Sequence, residues 1–183
     1  VYPAWESWDW PGWEGKPAFV EVYTKAPEVK LYLNDRLVGT KQVDRSTQYK
    51  AVFEVPYEPG TLRAEASGQT RILSTSGKPY AIRLSQEPGS AKTKDVAFIV
   101  IEVIDKDGRL CPDAQVEVRV SASAGSVNAV GNANLEDTGS YSDALHTTWK
   151  GRALAVVRNS GKVGKCRLTV SSPGLRTASI SAR

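Results

Sequence analysis

Methionine is absent from this chain of 183 residues, histidine occurs once and cysteine twice. A hydrolytic triad would therefore rest on His146 alone, and no serine in a G-x-S-x-G elbow accompanies it. A lone loop histidine reads as a solvated or hydrogen-bonded surface residue. Cys111 and Cys166 are too few and too far apart for a metal site, and no C-x-x-C spacing occurs. No apolar run approaches the roughly 18 to 20 residues that a bilayer span requires, so no membrane span is expected. The 24 basic and 20 acidic residues alternate along the chain instead of forming basic runs, which argues against a nucleic-acid partner. A glycine-rich phosphate cradle opening a helix is missing too, and no cofactor is expected. No leader segment is present, and the chain opens at Val1, so it reads as a mature or excised piece of a longer polypeptide.

What is present is strand. Composition is that of an ordinary globular chain, 40% hydrophobic and 24% charged, and the length suits two small domains. Short runs rich in β-branched and aromatic residues recur: Phe19 to Thr24, Val29 to Leu33, Tyr49 to Val55, Thr61 to Ser67 and Thr70 to Thr75. Asn34-Asp35 marks a two-residue hairpin turn between LYL and RLVGT, and further turns fall at Pro59-Gly60 and Gly68-Gln69. After Ser76-Gly77-Lys78-Pro79 the pattern restarts with seven candidates: Tyr80 to Gln86, Asp95 to Asp105, Gln115 to Ala122, Ser126 to Gly131, Arg152 to Asn159, Cys166 to Ser172 and Arg176 to Ala182. The expected architecture is all-β, two consecutive immunoglobulin-like β-sandwich domains spanning 1–76 and 77–183. No convincing amphipathic helix occurs.

On that strand order Cys111 and Cys166 fall at opposite ends of the second sandwich, too far apart for a disulfide, and two free thiols are expected. Asp105 and Asp107 in IDKDGRL resemble a fragment of a calcium loop, yet D-K-D-G is also what a hairpin turn needs, and the turn is the stronger reading. Glu6, Asp9, Glu14, Glu136 and Asp137 are the carboxylates available for acid–base work, but nothing in the sequence pairs them across a cleft. No catalytic residue and no metal ligand set is therefore assigned. The irregular stretch from Asn132 to Lys150 is long for a connection in a compact domain, a length associated with function or with covering an edge.

The strongest local signal is VYPAWESWDWPGWEGKP, which places Trp5, Trp8, Trp10 and Trp13 within nine positions. Indoles stack on sugar rings and carry an N–H for a polar partner, which makes the segment a candidate carbohydrate platform. Packing within the sandwich or against a neighbouring domain accounts for them equally physically and carries more weight, about two to one.

WESWDWPGWEGKPAFVEVYTKAPEVKLYLNDRLVGTK followed by FEVPYEPGTLRAEA resembles the small β-sandwich domain that follows the catalytic barrel in β-galactosidases of glycoside hydrolase family two, especially those of gut Bacteroidetes. The matching motifs are the W-x-W of Trp8 and Trp10, the V-x-V-Y-T of Val20 to Thr24, the hairpin of Glu28 to Asn34 and the V-P-Y-x-P-G of Val55 to Gly60. FIVIEVIDKDGRLCPDA, AVGNANL and WKGRALAVVRNSGKVGKCRLTVSSPGL resemble the invasin-type Ig-like domain that comes next, although Gly131 to Asn134 departs from the G-N-G or G-N-P of other members. The resemblance implies an accessory region whose catalytic glutamates lie upstream, on a barrel of the same polypeptide that is its partner. It also implies export to the periplasm or cell surface. A glycan is a second candidate partner. Two alternatives stand beside this reading: a stand-alone carbohydrate-binding module using the Trp-rich segment, and an adhesin-like Ig spacer.

Overall fold

The structure is a computed structural model that describes residues 5–89, 96–159 and 166–182. Every regular element among the described residues is a strand, and the chain divides into two compact units, Val1–Thr75 and Ser76–Arg183.

The first unit holds β1 (Pro17–Tyr23), β2 (Glu28–Leu33), β3 (Arg36–Gln42), β4 (Lys50–Pro56), β5 (Thr61–Ala66) and β6 (Gln69–Ser74). β1 and β4 form a two-stranded antiparallel sheet, and the other four form a sheet of order β3-β2-β5-β6. Period-two alternation sends Val29, Leu31 and Leu33 of β2, and Ala51, Phe53 and Val55 of β4, into one buried core. Asn34 and Asp35 both adopt positive φ (50° and 62°), closing the β2–β3 hairpin with Leu33 opposite Arg36. Their twist matches that of the flanking strands. The second hairpin turns one residue earlier than the sequence reading placed it. Ser67 and Gly68 take the positive φ values (47° and 77°), and Gln69 already pairs with Ala66 as the first residue of β6.

The second unit contains β7 (Ala81–Gln86), β8 (Val96–Ile104), β9 (Glu117–Ser123), β10 (Gly125–Gly131), β11 (Leu145–Thr147), β12 (Arg152–Asn159), β13 (Cys166–Ser171) and β14 (Ala178–Ala182). One sheet runs β7-β8-β12-β10 and the other β11-β9-β13-β14. Lettered in order, the first is the A-B-E-D sheet and the last three strands of the second are C-F-G, the arrangement of an immunoglobulin-like sandwich. Ala97, Ile99 and Ile101 of β8 meet Val118 and Val120 of β9 and Leu168 and Val170 of β13 in the interior. Each such fully buried branched side chain contributes about 1.5–3 kcal/mol in transfer free energy.

Seven strands were expected here and the described residues form eight. The extra strand, β11, lies inside the long Asn132–Lys150 stretch, which leaves the A-B-E-D sheet after β10 and returns along the free edge of β9. Its three pairs are Leu145 with Arg119, His146 with Val118 and Thr147 with Glu117. Three residues of strand flanked by polar turns carry too short a period to stand out in a sequence.

Both cysteines are buried and unbridged. Cys111 packs beside Gly151 and Cys166 beside Gly125 and Arg158, so they flank opposite ends of β12, roughly 20 Å apart at the rise of a strand. Asp105 closes the turn after β8, as the turn reading of IDKDGRL requires. Its Oδ1 accepts from the N–H groups of Asp107 (2.9 Å) and Arg109 (2.8 Å), and its Oδ2 accepts from the N–H of Gly77 (2.8 Å).

Candidate functional site

The four leading tryptophans separate in the structure. Trp8 is 3% exposed and belongs to the first unit's core. Its ring meets Tyr57 edge-on, with centroids 5.1 Å apart, and its Nε1 donates to the Glu58 carbonyl at 3.0 Å. Its own carbonyl accepts from the Thr75 hydroxyl at 2.8 Å, tying the start of the unit to its end. A Trp buried with its N–H satisfied is a packing residue. Trp5, Trp10 and Trp13 remain 49%, 39% and 46% exposed. A tight turn with Gly12 at φ 80° places the N–H of Trp13 on the Trp10 carbonyl, and Lys16 covers the Trp13 ring with its ammonium 4.6 Å from the centroid. The Trp13 Nε1 is spent on the Pro17 carbonyl, so this indole offers its second face and its edge. Three half-exposed indoles on one short segment leave large apolar side chains partly in water.

The second feature is built by the Asn132–Lys150 stretch. Asn132 braces it: Nδ2 donates to Asp137 Oδ2 (2.5 Å) and the Thr147 carbonyl (2.8 Å), while Oδ1 accepts from the Asn134 N–H (2.8 Å). The Asn134 side chain in turn caps the Glu136 N–H, and Asp137 Oδ1 caps the Gly139 N–H. Such short Asx contacts let a polar loop hold one shape without a core of its own. The far limb is fixed by backbone bonds from Val130 to Tyr141, Val120 to Ala144 and Thr148 to Val116. Thr148 is buried, its hydroxyl donating to the Ala114 carbonyl at 2.8 Å and accepting from the Val116 N–H at 3.0 Å.

The result is a cleft of about 380 Å³ whose walls include Gln115, Glu117, Asp137, Gly139, His146 and Trp149. His146 is buried, not at the surface as the sequence reading had it, because β11 turns its ring beneath the loop. Tyr141 stacks on it at 6.1 Å with an interplanar angle of 13°. The His146 Nδ1 lies 3.4 Å from the Thr147 carbonyl and 3.6 Å from Asp137 Oδ2. The Gly139 N–H and the Asn132 amide, helped by the nearby imidazole, hold the Asp137 carboxyl below its ordinary value against the opposing effect of desolvation. Asp137 is thus an acceptor at neutral pH and not a proton donor. Of the other sequence candidates, Glu136 also lines this cleft, whereas Glu6, Asp9 and Glu14 lie in the Trp-rich segment of the other unit. Among the described residues no group of three or more His, Cys, Asp or Glu is placed to hold a metal ion. Asn132 and Tyr141 were not singled out from sequence. The closely spaced Asn132, Asn134 and Asp137, all Asx-turn formers, are the legible trace of the braced loop.

Residues 81–181 match the model of the glycoside hydrolase family 2 C-terminal domain 5, and residues 15–71 match a domain of unknown function, DUF4982. The chain is 35% identical over 164 residues to the β-galactosidase BoGH2A of Bacteroides ovatus, an alignment covering 85% of this chain and 19% of that protein. It is 29% identical over 171 residues to a β-glucuronidase of Formosa agariphila, covering 88% of this chain and 17% of the relative. The chain therefore spans about a fifth of the length of these curated relatives. A solved glycosyl hydrolase family 2 member from Bacteroides cellulosilyticus superposes with a TM-score of 0.88 at 31% identity, over 97% of this chain and 26% of that one.

Proposed function

The chain belongs to the family of the glycoside hydrolase family 2 C-terminal domain 5, and from that premise we propose that it is the non-catalytic accessory region of a β-galactosidase-like enzyme, supporting a catalytic barrel of the same polypeptide. The observation that carries this reading is the alignment itself: almost the whole chain aligns to a small fraction of much longer glycosidases. Trp5, Trp10 and Trp13 are the contact surface toward the barrel, with Trp8 as the internal anchor that fixes the segment to its sandwich. The finer reading of the second unit as an invasin-type Ig-like domain draws support from its A-B-E-D and C-F-G strand order. Export to the periplasm or cell surface belongs to the same proposal, and fractionation of the producing bacterium checks it.

The test compares the isolated chain with the longer polypeptide. The isolated chain is expected to leave p-nitrophenyl β-galactoside intact, and its tryptophan emission to shift to the blue only when the barrel is joined or supplied in trans. Turnover by the isolated chain at enzyme-like rates would overturn the reading. The alternative, a carbohydrate-binding module on the same segment, draws on the open face of Trp13. Calorimetric titration that saturates with a glycan and is lost in Trp5→Ala or Trp13→Ala would favour it.

A further inference from the structure

β1 and β4 form a two-stranded sheet of their own, with one inner and one outer face. Ala18, Val20 and Val22 of β1 and Ala51, Phe53 and Val55 of β4 pack in the core of the first unit. Period-two alternation then sends Pro17, Phe19, Glu21 and Tyr23 to the outer face, and the register sets Pro56, Glu54, Val52 and Lys50 directly opposite them. A sheet face turned to water is ordinarily polar, and the four-stranded sheet of the same unit follows that rule. Its outer face carries Glu28 and Lys30 of β2 and Arg63 and Glu65 of β5, and Tyr32 lies under the Arg63 guanidinium, 4.1 Å from the ring centroid. The β1–β4 face departs from it. Phe19 is 69% exposed and Tyr23 66%. Val52 lies diagonal to both rings, which makes one apolar strip of about 13 Å along β1.

The surroundings of the strip select its occupant. Trp13 Nε1 donates to the Pro17 carbonyl, so the strip begins where the half-exposed indoles of the Trp-rich segment end. Its charges are unequally answered. Glu21 accepts from Lys50 at 3.1 Å and from the Tyr23 hydroxyl, whereas the carboxylate of Glu54, exposed opposite Phe19, has no partner among the described residues. An apolar strip with one unanswered carboxylate fits a protein surface that brings apolar side chains and a lysine or arginine. This chain spans about a fifth of its curated relatives, so most of the surface that such a polypeptide has to offer lies outside it. We propose that the outer face of β1–β4, centred on Phe19, Val52 and Tyr23, docks on the catalytic barrel of the same polypeptide, with a basic side chain of the barrel meeting Glu54. The contact continues that of the Trp-rich segment and rests on the accessory reading above.

Hydroxyl-radical footprinting of the isolated chain and of the full enzyme, read residue by residue by mass spectrometry, tests it. Oxidation of Phe19 and Tyr23 is expected to fall several-fold in the full enzyme, while that of Ile72, 56% exposed on β6, stays the same. Protection confined to Trp5, Trp10 and Trp13 overturns the proposal and leaves the accessory reading standing; protection of neither group overturns both. Protection that appears in the isolated chain as its concentration rises, or on adding β-1,4-galactotetraose, assigns the face to a second copy or to a glycan and overturns the proposal as well. Phe19→Lys and Glu54→Lys provide a second measurement on exposed side chains. Each is expected to lower the thermal inactivation temperature of the full enzyme by more than it lowers the melting temperature of the isolated chain, whereas Ile72→Lys shifts both alike. Equal shifts from Phe19→Lys in the two proteins, or from Glu54→Lys, overturn the docking of this face.

Discussion

A carboxylate as deeply buried as that of Asp105 persists only when its charge is answered, and here the answer is almost entirely backbone. Burial by itself pushes the Asp105 carboxyl up. The N–H groups of Gly77, Arg109 and Asp107, with the Arg109 guanidinium 3.8 Å away, outweigh it and hold the group below its ordinary value. The contribution of the ionised form is thus fully present above the unfolded pKa of about 3.9 and lost as pH falls through the lower folded value. Asp105→Asn keeps the shape but forfeits charge-assisted bonds, at a cost on the order of 3 kcal/mol at neutral pH. Urea unfolding followed from pH 7 down to pH 2 should show the gap between the two proteins narrowing in acid, and a gap that widens would refute this assignment. Gly125 makes the opposite kind of demand, on space. A Cβ there would stand 2.6 Å from the buried Cys166 Sγ and from the Arg158 backbone carbonyl. Gly125→Ala should cost roughly 1–3 kcal/mol by overpacking, read as a lowered urea midpoint, and the cost should shrink when Cys166→Ala removes the sulfur.

At the scale of the element, turns decide register. Gly60 sits at φ 140°, and a Cβ there would collide with the Asn34 side chain, whose Oδ1 caps the Thr61 N–H at 2.9 Å and whose Nδ2 donates to the Pro59 carbonyl at 3.2 Å. That one amide ties the β2–β3 hairpin to the entry of β5. Gly60→Ala is expected to destabilise the first unit by about 1–3 kcal/mol, combining backbone strain with loss of the Asn34 bridge, and thermal unfolding measures it. The Asn-Asp and Pro-Gly signals were legible because positive φ and a fixed proline φ are written into those residue types. The strand spanning Ala97 to Val103 was legible as a short run rich in β-branched and aromatic residues, of which the structure buries every second one. β11 was not, since its three residues are held by pairing with β9 and by Asn132, both contacts distant in sequence. The same reason hid the burial of His146. Whether an imidazole is solvated or sealed depends on where a loop of mixed polarity returns, and local composition does not specify that. The Trp-rich segment was visible as a signal, but dividing it into one core indole and three surface ones required Tyr57, Glu58 and Thr75, all far along the chain.

On the scale of the whole molecule, the two cores have no residue in common: one gathers around Trp8, Leu31 and Phe53, the other around Ile99, Val120 and Leu168. Cooperative unfolding follows a shared core, so each unit should melt as its own transition. Calorimetry of the chain is expected to resolve two steps, with Gly60→Ala lowering one and Gly125→Ala the other. A single transition moved equally by both variants would refute the independence of the units. The exposed indoles extend the argument to the longer polypeptide. Trp5, Trp10 and Trp13 each keep about half of their surface in water in this chain, so replacing them together with alanine removes only the buried half from the first unit. Where a barrel covers them, the same substitutions leave a gap in an interface, and truncating a well-buried aromatic anchor costs on the order of 2–4 kcal/mol. The triple variant should therefore lower the melting of the isolated chain by less than it lowers that of the full enzyme, where the exposed halves are covered as well. The thermal inactivation temperature of the full enzyme should fall by several degrees more than the melting temperature of the isolated chain, with KM and kcat at 25 °C unchanged in the surviving fraction. Equal destabilisation of both would mean that these side chains serve their own sandwich, as Trp8 does, and that the barrel docks elsewhere.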